Sequence, residues 1–128
     1  MRTRIAEKDG FTLIELMIVI VIMGVLAAMA VTTWQNRKEE AIVAGMKSDL
    51  RNLASAEEAY YVDKSTYTTD TDALGIRSSP DVVLTLQADA NGWTANTAHP
   101  TTTRECGMYF GKIAPLSPAR GEGIVWCE

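Results

Sequence analysis

Between positions 11 and 31 only Thr12, Glu15 and Gly24 fall outside the apolar class, and positions 16–31 carry no charge at all. A helix of this length rises ~31 Å, about the thickness of a bilayer hydrocarbon core. Residues 1–10 are polar, with Arg2, Arg4 and Lys8 set against Glu7 and Asp9. Beyond the run, Arg37 and Lys38 are cancelled by Glu39 and Glu40. Basic charge gathered ahead of an apolar span keeps that end in the cytoplasm, which predicts export of the remainder.

The helical pattern does not stop at the end of the apolar run. Ile42, Met46, Leu50, Leu53, Ala56 and Tyr60 recur at helical spacing, while Lys47, Arg51, Ser55 and Glu58 fall on the opposite side. No proline occurs before Pro80, so one helix is predicted from about Phe11 to about Val62, ~78 Å long. Its second half can pack on a small head. Its first half is apolar on every face, and such a helix is immersed in lipid or surrounded by other protein. Copies of the same chain can supply those surroundings. Burial of ~1,500–2,500 Å² against neighbours gives tens of kcal/mol relative to water at ~25 cal/mol/Å², but far less relative to lipid.

Glu15 separates the possible uses of this segment. The alternatives are an ordinary signal peptide, with a small-x-small site at Ala28, Met29 and Ala30, a plain anchor, or a helix kept in the product after loss of the polar leader. A carboxylate within an apolar span costs ~2.5–3.5 kcal/mol at its centre, less near its end. A disposable signal gains nothing from that cost. Cleavage after Gly10 would create a partner, the α-ammonium of Phe11, and unit charges 4 Å apart attract by ~4 kcal/mol at an effective dielectric of 20. Glu15 could equally reach towards headgroups, or pair with its own N-terminus one turn away.

Gly10, Phe11, Thr12, Leu13, Ile14, Glu15 and Leu16, followed by the apolar residues 17–22, resemble the class III signal of type IV pilins and pseudopilins. The resemblance implies cleavage between Gly10 and Phe11 by a prepilin peptidase and N-methylation of Phe11. It also implies a registration role for Glu15 during filament assembly. Two positions depart from the family's habit. Asp9 stands where Lys or Arg is usual before the glycine, and Thr32 stands where a proline is common after the apolar run. Without that proline, local melting of the helix there rests on Gly24, which costs ~1 kcal/mol relative to Ala.

Past the helix the texture changes. Residues 63–72 form a turn-prone, Thr-rich loop; residues 82–86 alternate as a strand, and Asn91 and Gly92 signal a hairpin returning through Trp93, Thr94 and Ala95. Residues 105–110 and 123–127 read as two further strands, with Pro115 and Pro118 in the loop between them. The predicted fold is α+β and type IV pilin-like, a long N-terminal helix packed on an antiparallel head of about four strands. The expected organisation is a leader at 1–10, a transmembrane or filament-core half at 11–31, an amphipathic half at 32–63 and a globular head at 64–128. An exported chain meets an oxidising compartment, so Cys106 and Cys127 are expected to form a disulfide closing a loop of ~22 residues, worth ~3 kcal/mol. A C-terminal disulfide loop also resembles major type IV pilins.

Composition removes several function classes. The 128 residues carry a formal charge of −4, unlike a nucleic-acid binder working by bulk charge. His99 is the single histidine, so neither a His/Cys zinc site nor a nucleophile–base pair is visible, and no phosphate-binding loop occurs. Asp70, Asp72, Asp81 and Asp89 offer oxygens, and the resemblance raises calcium through the secretion pseudopilins, but the spacing matches no ligand loop. No cofactor, metal or catalytic residue is expected. Tyr60, Tyr61 and Tyr67 read as packing at the helix end rather than a stacking platform.

The resemblance implies a structural subunit, a major pilin, that passes through the inner membrane and ends in an extracellular pilus used for motility, adhesion or DNA uptake. Its partners would be copies of itself, the prepilin peptidase, the inner-membrane assembly machinery and, before assembly, the membrane. A periplasmic pseudopilin of type II secretion is the alternative, and a secreted or anchored binding module the second alternative.

Overall fold

A computed structural model describes residues 10–128; residues 1–9, which hold nearly all of the expected leader, lie outside the described residues. The elements are one helix and four strands: α1 (Leu13–Lys64), β1 (Val83–Ala88), β2 (Gly92–Ala98), β3 (Cys106–Gly111) and β4 (Trp126–Cys127). The strands form one antiparallel meander in the order β1-β2-β3-β4. This is the α+β, pilin-like arrangement expected from the sequence. By its contacts the chain divides after Asn36 into two compact units.

The first unit is helix with an apolar surface, and every described side chain in it is exposed. Helical backbone continues across Gly24 and Thr32. Thr33, just beyond, donates its hydroxyl to the Met29 carbonyl at 3.2 Å, so this polar group is satisfied within the helix.

In the second unit, the helix buries Val43, Met46, Leu50, Leu53 and Glu57 along one line. Ile42, Ala56 and Tyr60, expected on that stripe, are half-buried; Ile42 and Ala56 each sit one residue, and so ~100°, from a buried position, and Tyr60 lies one turn beyond Glu57, the last of them. The line packs on the face of the sheet formed by Trp93 and Ala95 of β2 and Cys106 and Met108 of β3. Full burial of each large apolar side chain contributes ~1.5–3 kcal/mol. The helix ends two residues later than predicted. Ser65 takes φ 55° and its N–H reaches the Tyr61 carbonyl at 2.7 Å, so Asp63 and Lys64 complete the last turn instead of opening the loop.

The hairpin is centred one residue earlier than its Asn-Gly signal. Asp89 N–H donates to the Gly92 carbonyl at 2.9 Å, which leaves Ala90 and Asn91 as the central pair. The Asp89 carboxylate accepts from the N–H groups of Asn91 (2.6 Å) and Gly92 (3.0 Å), an Asx turn. Gly92 is needed for a different reason: a Cβ there would collide with the Phe110 carbonyl.

β1 alternates between exposed and half-buried, whereas β2 is covered on both faces. Its second cover is the segment 112–125. Leu116 N–H donates to Thr94 Oγ1 at 2.9 Å, and the Asn96 amide donates to the Ser117 carbonyl at 3.0 Å. Gly107 permits this approach, since a Cβ would meet Ala119 N at 2.8 Å. The Cys106–Cys127 disulfide closes the segment, and Glu105 and Glu128 exchange two backbone hydrogen bonds just outside it.

Candidate assembly surface

The start of the apolar helix is organised by Thr12 and Glu15. Thr12 is the N-cap: its hydroxyl oxygen accepts from Glu15 N–H at 3.3 Å. Glu15 Oε2 reaches back to accept from Thr12 N–H at 2.8 Å and from the Thr12 hydroxyl at 2.7 Å. This reciprocal closure is a capping box, and it sits where the helix dipole favours negative charge. The Thr-x-x-Glu spacing carries this signal in the sequence, alongside the charge-partner role expected of Glu15. Gly10 and Phe11 lie in the non-helical lead-in and are exposed, with Phe11 81% accessible. Ala28, Met29 and Ala30 lie about a third of the way along α1, in unbroken helix.

From Leu13 to Val31 the large side chains of Leu, Ile, Val and Met are all exposed. By length and composition this helix is apolar enough to cross a membrane. Trp34, 74% accessible, follows one turn after Val31.

Two carboxylates outside the residues singled out from the sequence tie the head together. Asp49 is buried; its Oδ2 accepts from Ser79 N–H at 2.8 Å and its Oδ1 from the Ser79 hydroxyl at 3.0 Å. Glu57 is fully buried, and Oε2 accepts from Thr68 N–H at 3.2 Å while Oε1 has no partner among the described residues. The chain between the helix and β1 is thereby clasped at both ends. Burial pushes the Glu57 carboxyl above its usual range, the Thr68 N–H pulls it partly back, and neighbouring Glu58 raises it again. Glu57 could have been found from sequence, since it occupies a position where the buried periodicity asks for an apolar side chain.

The tyrosines sit at the far end of α1. Tyr61 and Tyr67 stack with ring centroids 4.6 Å apart, and Glu58 accepts from the Tyr67 hydroxyl at 3.3 Å. Burial first, and then the Glu58 charge, push the Tyr67 phenol up to about 12. The loop aspartates build turns: Asp70 Oδ1 accepts from the N–H groups of Asp72 (3.0 Å) and Ala73 (3.2 Å). No group of three metal-ligating side chains forms among the described residues. His99 Nδ1 accepts from Thr101 N–H at 3.2 Å in the β2–β3 loop.

The arrangement is thus one of surfaces and caps. A model of the prokaryotic N-terminal methylation motif matches residues 7–31. Type II secretion system core protein G of Pseudomonas aeruginosa is 41% identical over 61 residues, which cover 48% of this chain and 43% of that protein. The core protein G of Dickeya chrysanthemi is 44% identical over 69 residues, 54% of this chain and 45% of its own length. The chain therefore spans less than half the length of these relatives. A fimbrial protein of Neisseria meningitidis is 38% identical over 122 residues, 92% of this chain and 70% of that protein.

Proposed function

We propose that this chain, which belongs to the type IV pilin family, is the structural subunit of an extracellular type IV pilus and not an enzyme. In this reading a prepilin peptidase cuts between Gly10 and Phe11, and Phe11 becomes the methylated N-terminus. The apolar helix holds the subunit in the inner membrane until the assembly machinery transfers it into the filament, where sister copies take the place of lipid. Exchange of one apolar environment for another changes little free energy, so extraction needs outside work and return to the membrane stays accessible. The head, exported by the charge asymmetry, forms the filament's outer surface.

Glu15 has two roles in sequence. Before cleavage its carboxylate serves only the helix cap. After cleavage the Phe11 ammonium of an incoming or neighbouring copy gives it a charge partner inside a medium of low dielectric, and the pair fixes the axial register of one subunit on the next.

The observation that carries the pilin reading is the extent of the fimbrial likeness. It takes in 92% of this chain, and hence most of the head as well as the helix. A second reading, a pseudopilin of a type II secretion system, is favoured by the core protein G relatives, whose likeness covers about half of this chain. Intact mass of the exported product tests the shared part: a chain beginning at methylated Phe11 is expected, and a mass lacking the apolar helix refutes both readings. Deletion of the gene then divides them. Loss of sheared surface filaments with normal protein secretion supports the pilus; secretion failure with filaments intact supports the pseudopilin.

A further inference from the structure

We propose that Trp34 is the outer depth anchor of the membrane-stored subunit, its indole seated among lipid headgroups on the exported side of the bilayer. The inference deepens the reading above and rests on its claim that the apolar helix is first held in lipid. The helical rise from Glu15 to Trp34 is ~29 Å, against ~30 Å for a bilayer hydrocarbon core. Glu15, in its capping box with Thr12, marks one end of that distance. Between the two, positions 16–31 carry no charged side chain. Thr33 lies beside Trp34, and its hydroxyl is already bonded to the Met29 carbonyl, so it asks nothing of the lipid. Beyond Trp34 the chain turns polar at once, with Gln35, Asn36, Arg37 and Lys38.

Trp34 itself is 74% accessible, although an indole is the side chain most in need of partial cover. An indole combines a large apolar ring with one N–H donor, and the headgroup layer offers both apolar contact and phosphate and carbonyl acceptors. A cap at one face and an indole at the other would fix the depth of a helix that could otherwise slide, since its apolar surface has no internal landmark except Gly24. A set depth places the bond between Gly10 and Phe11 at the cytoplasmic surface.

The test reconstitutes the full-length precursor in vesicles of phosphatidylethanolamine and phosphatidylglycerol. The vesicles contain phosphatidylcholine brominated either near the headgroup end or near the methyl end of its acyl chains. The chain has three tryptophans, so shallow bromine is expected to quench about a third of the emission, and more strongly than deep bromine. Trp34→Phe should abolish that quenching and leave the far-ultraviolet circular dichroism unchanged. A chain that resists alkaline extraction yet shows the same shallow quenching with Phe at 34 overturns the anchor while leaving the membrane reading intact. So does quenching dominated by deep bromine, or an indole shielded from both lipids by a second copy. A chain released by alkali overturns the membrane reading, and the anchor with it.

Discussion

Glu57→Gln should stabilise the head at neutral pH, by an amount that vanishes in acid. The wild-type carboxylate is fully buried, with one oxygen bonded to Thr68 N–H and the other without a partner among the described residues. A buried polar atom left without a hydrogen bond costs ~1–3 kcal/mol, more when it is charged. Gln retains a carbonyl for Thr68 N–H and removes the charge; its NH₂ group inherits a smaller desolvation cost, so a gain of about 1 kcal/mol is expected at pH 7.

The pH dependence follows from the direction of the Glu57 shift. The folded carboxyl titrates above the ordinary value of 4.5 because burial disfavours its ionised form. Below that value both folded and unfolded chains are protonated and the wild type carries no penalty. As pH rises, the unfolded chain ionises first, so wild-type stability falls until the folded group also ionises, by at most ~1.4 kcal/mol per pH unit. The amide has no such window. Urea unfolding of the full chain in mild detergent, followed by tryptophan fluorescence from pH 3 to 8, measures the difference directly, since other groups contribute equally to both curves. Wild type and Gln variant running parallel across that range would refute the reasoning. Glu57→Ala supplies the contrast: it leaves Thr68 N–H without its acceptor and opens a cavity, so it should lose ~1–3 kcal/mol in acid and less as pH rises, because it too lacks the titrating carboxyl.

Three further outcomes follow from the same contacts. Glu15→Ala and Glu15→Gln should both leave the chain in the membrane fraction and abolish sheared filaments, the Gln variant retaining an acceptor for Thr12; filaments in normal yield with Gln would show that the negative charge is dispensable. Asp49→Ala should speed amide exchange at Ser79 by roughly ten- to a hundredfold, from loss of ~1–3 kcal/mol of local hydrogen bonding, while Asp49→Asn should change it less. Removing the disulfide as Cys106→Ser with Cys127→Ser should cost ~2–4 kcal/mol of unfolding free energy and expose Gly107 amide exchange as segment 112–125 loosens.

The long elements were legible because their signals are long. The apolar run and the recurrence of Met46, Leu50 and Leu53 specify a helix whatever its surroundings, and the alternation through Val83, Leu84, Thr85 and Leu86 specifies a half-buried strand. The disulfide was legible from two cysteines and from the export that the charge asymmetry predicts. What escaped was short-range or non-local polar chemistry. The capping box needed Thr12 and Glu15 to be read as one unit rather than as an isolated acid. The Asp49–Ser79 and Glu57–Thr68 contacts join residues whose sequence neighbourhoods say nothing of each other. The turn shifted by one residue because Gly92 answers to the Phe110 carbonyl on β3, a constraint that lies outside the hairpin itself.

The double covering of β2 governs how freely this head can change. A strand with water on one side tolerates substitution at every second position, and β1, with Val83, Thr85 and Gln87 facing out, has that freedom. Thr94 and Asn96 do not, because they hold the returning segment through Leu116 and Ser117. Drift along the centre of the sheet is therefore blocked at consecutive residues, and novelty is pushed outward to the edge strand and to the loop tips at Thr101 and Lys112.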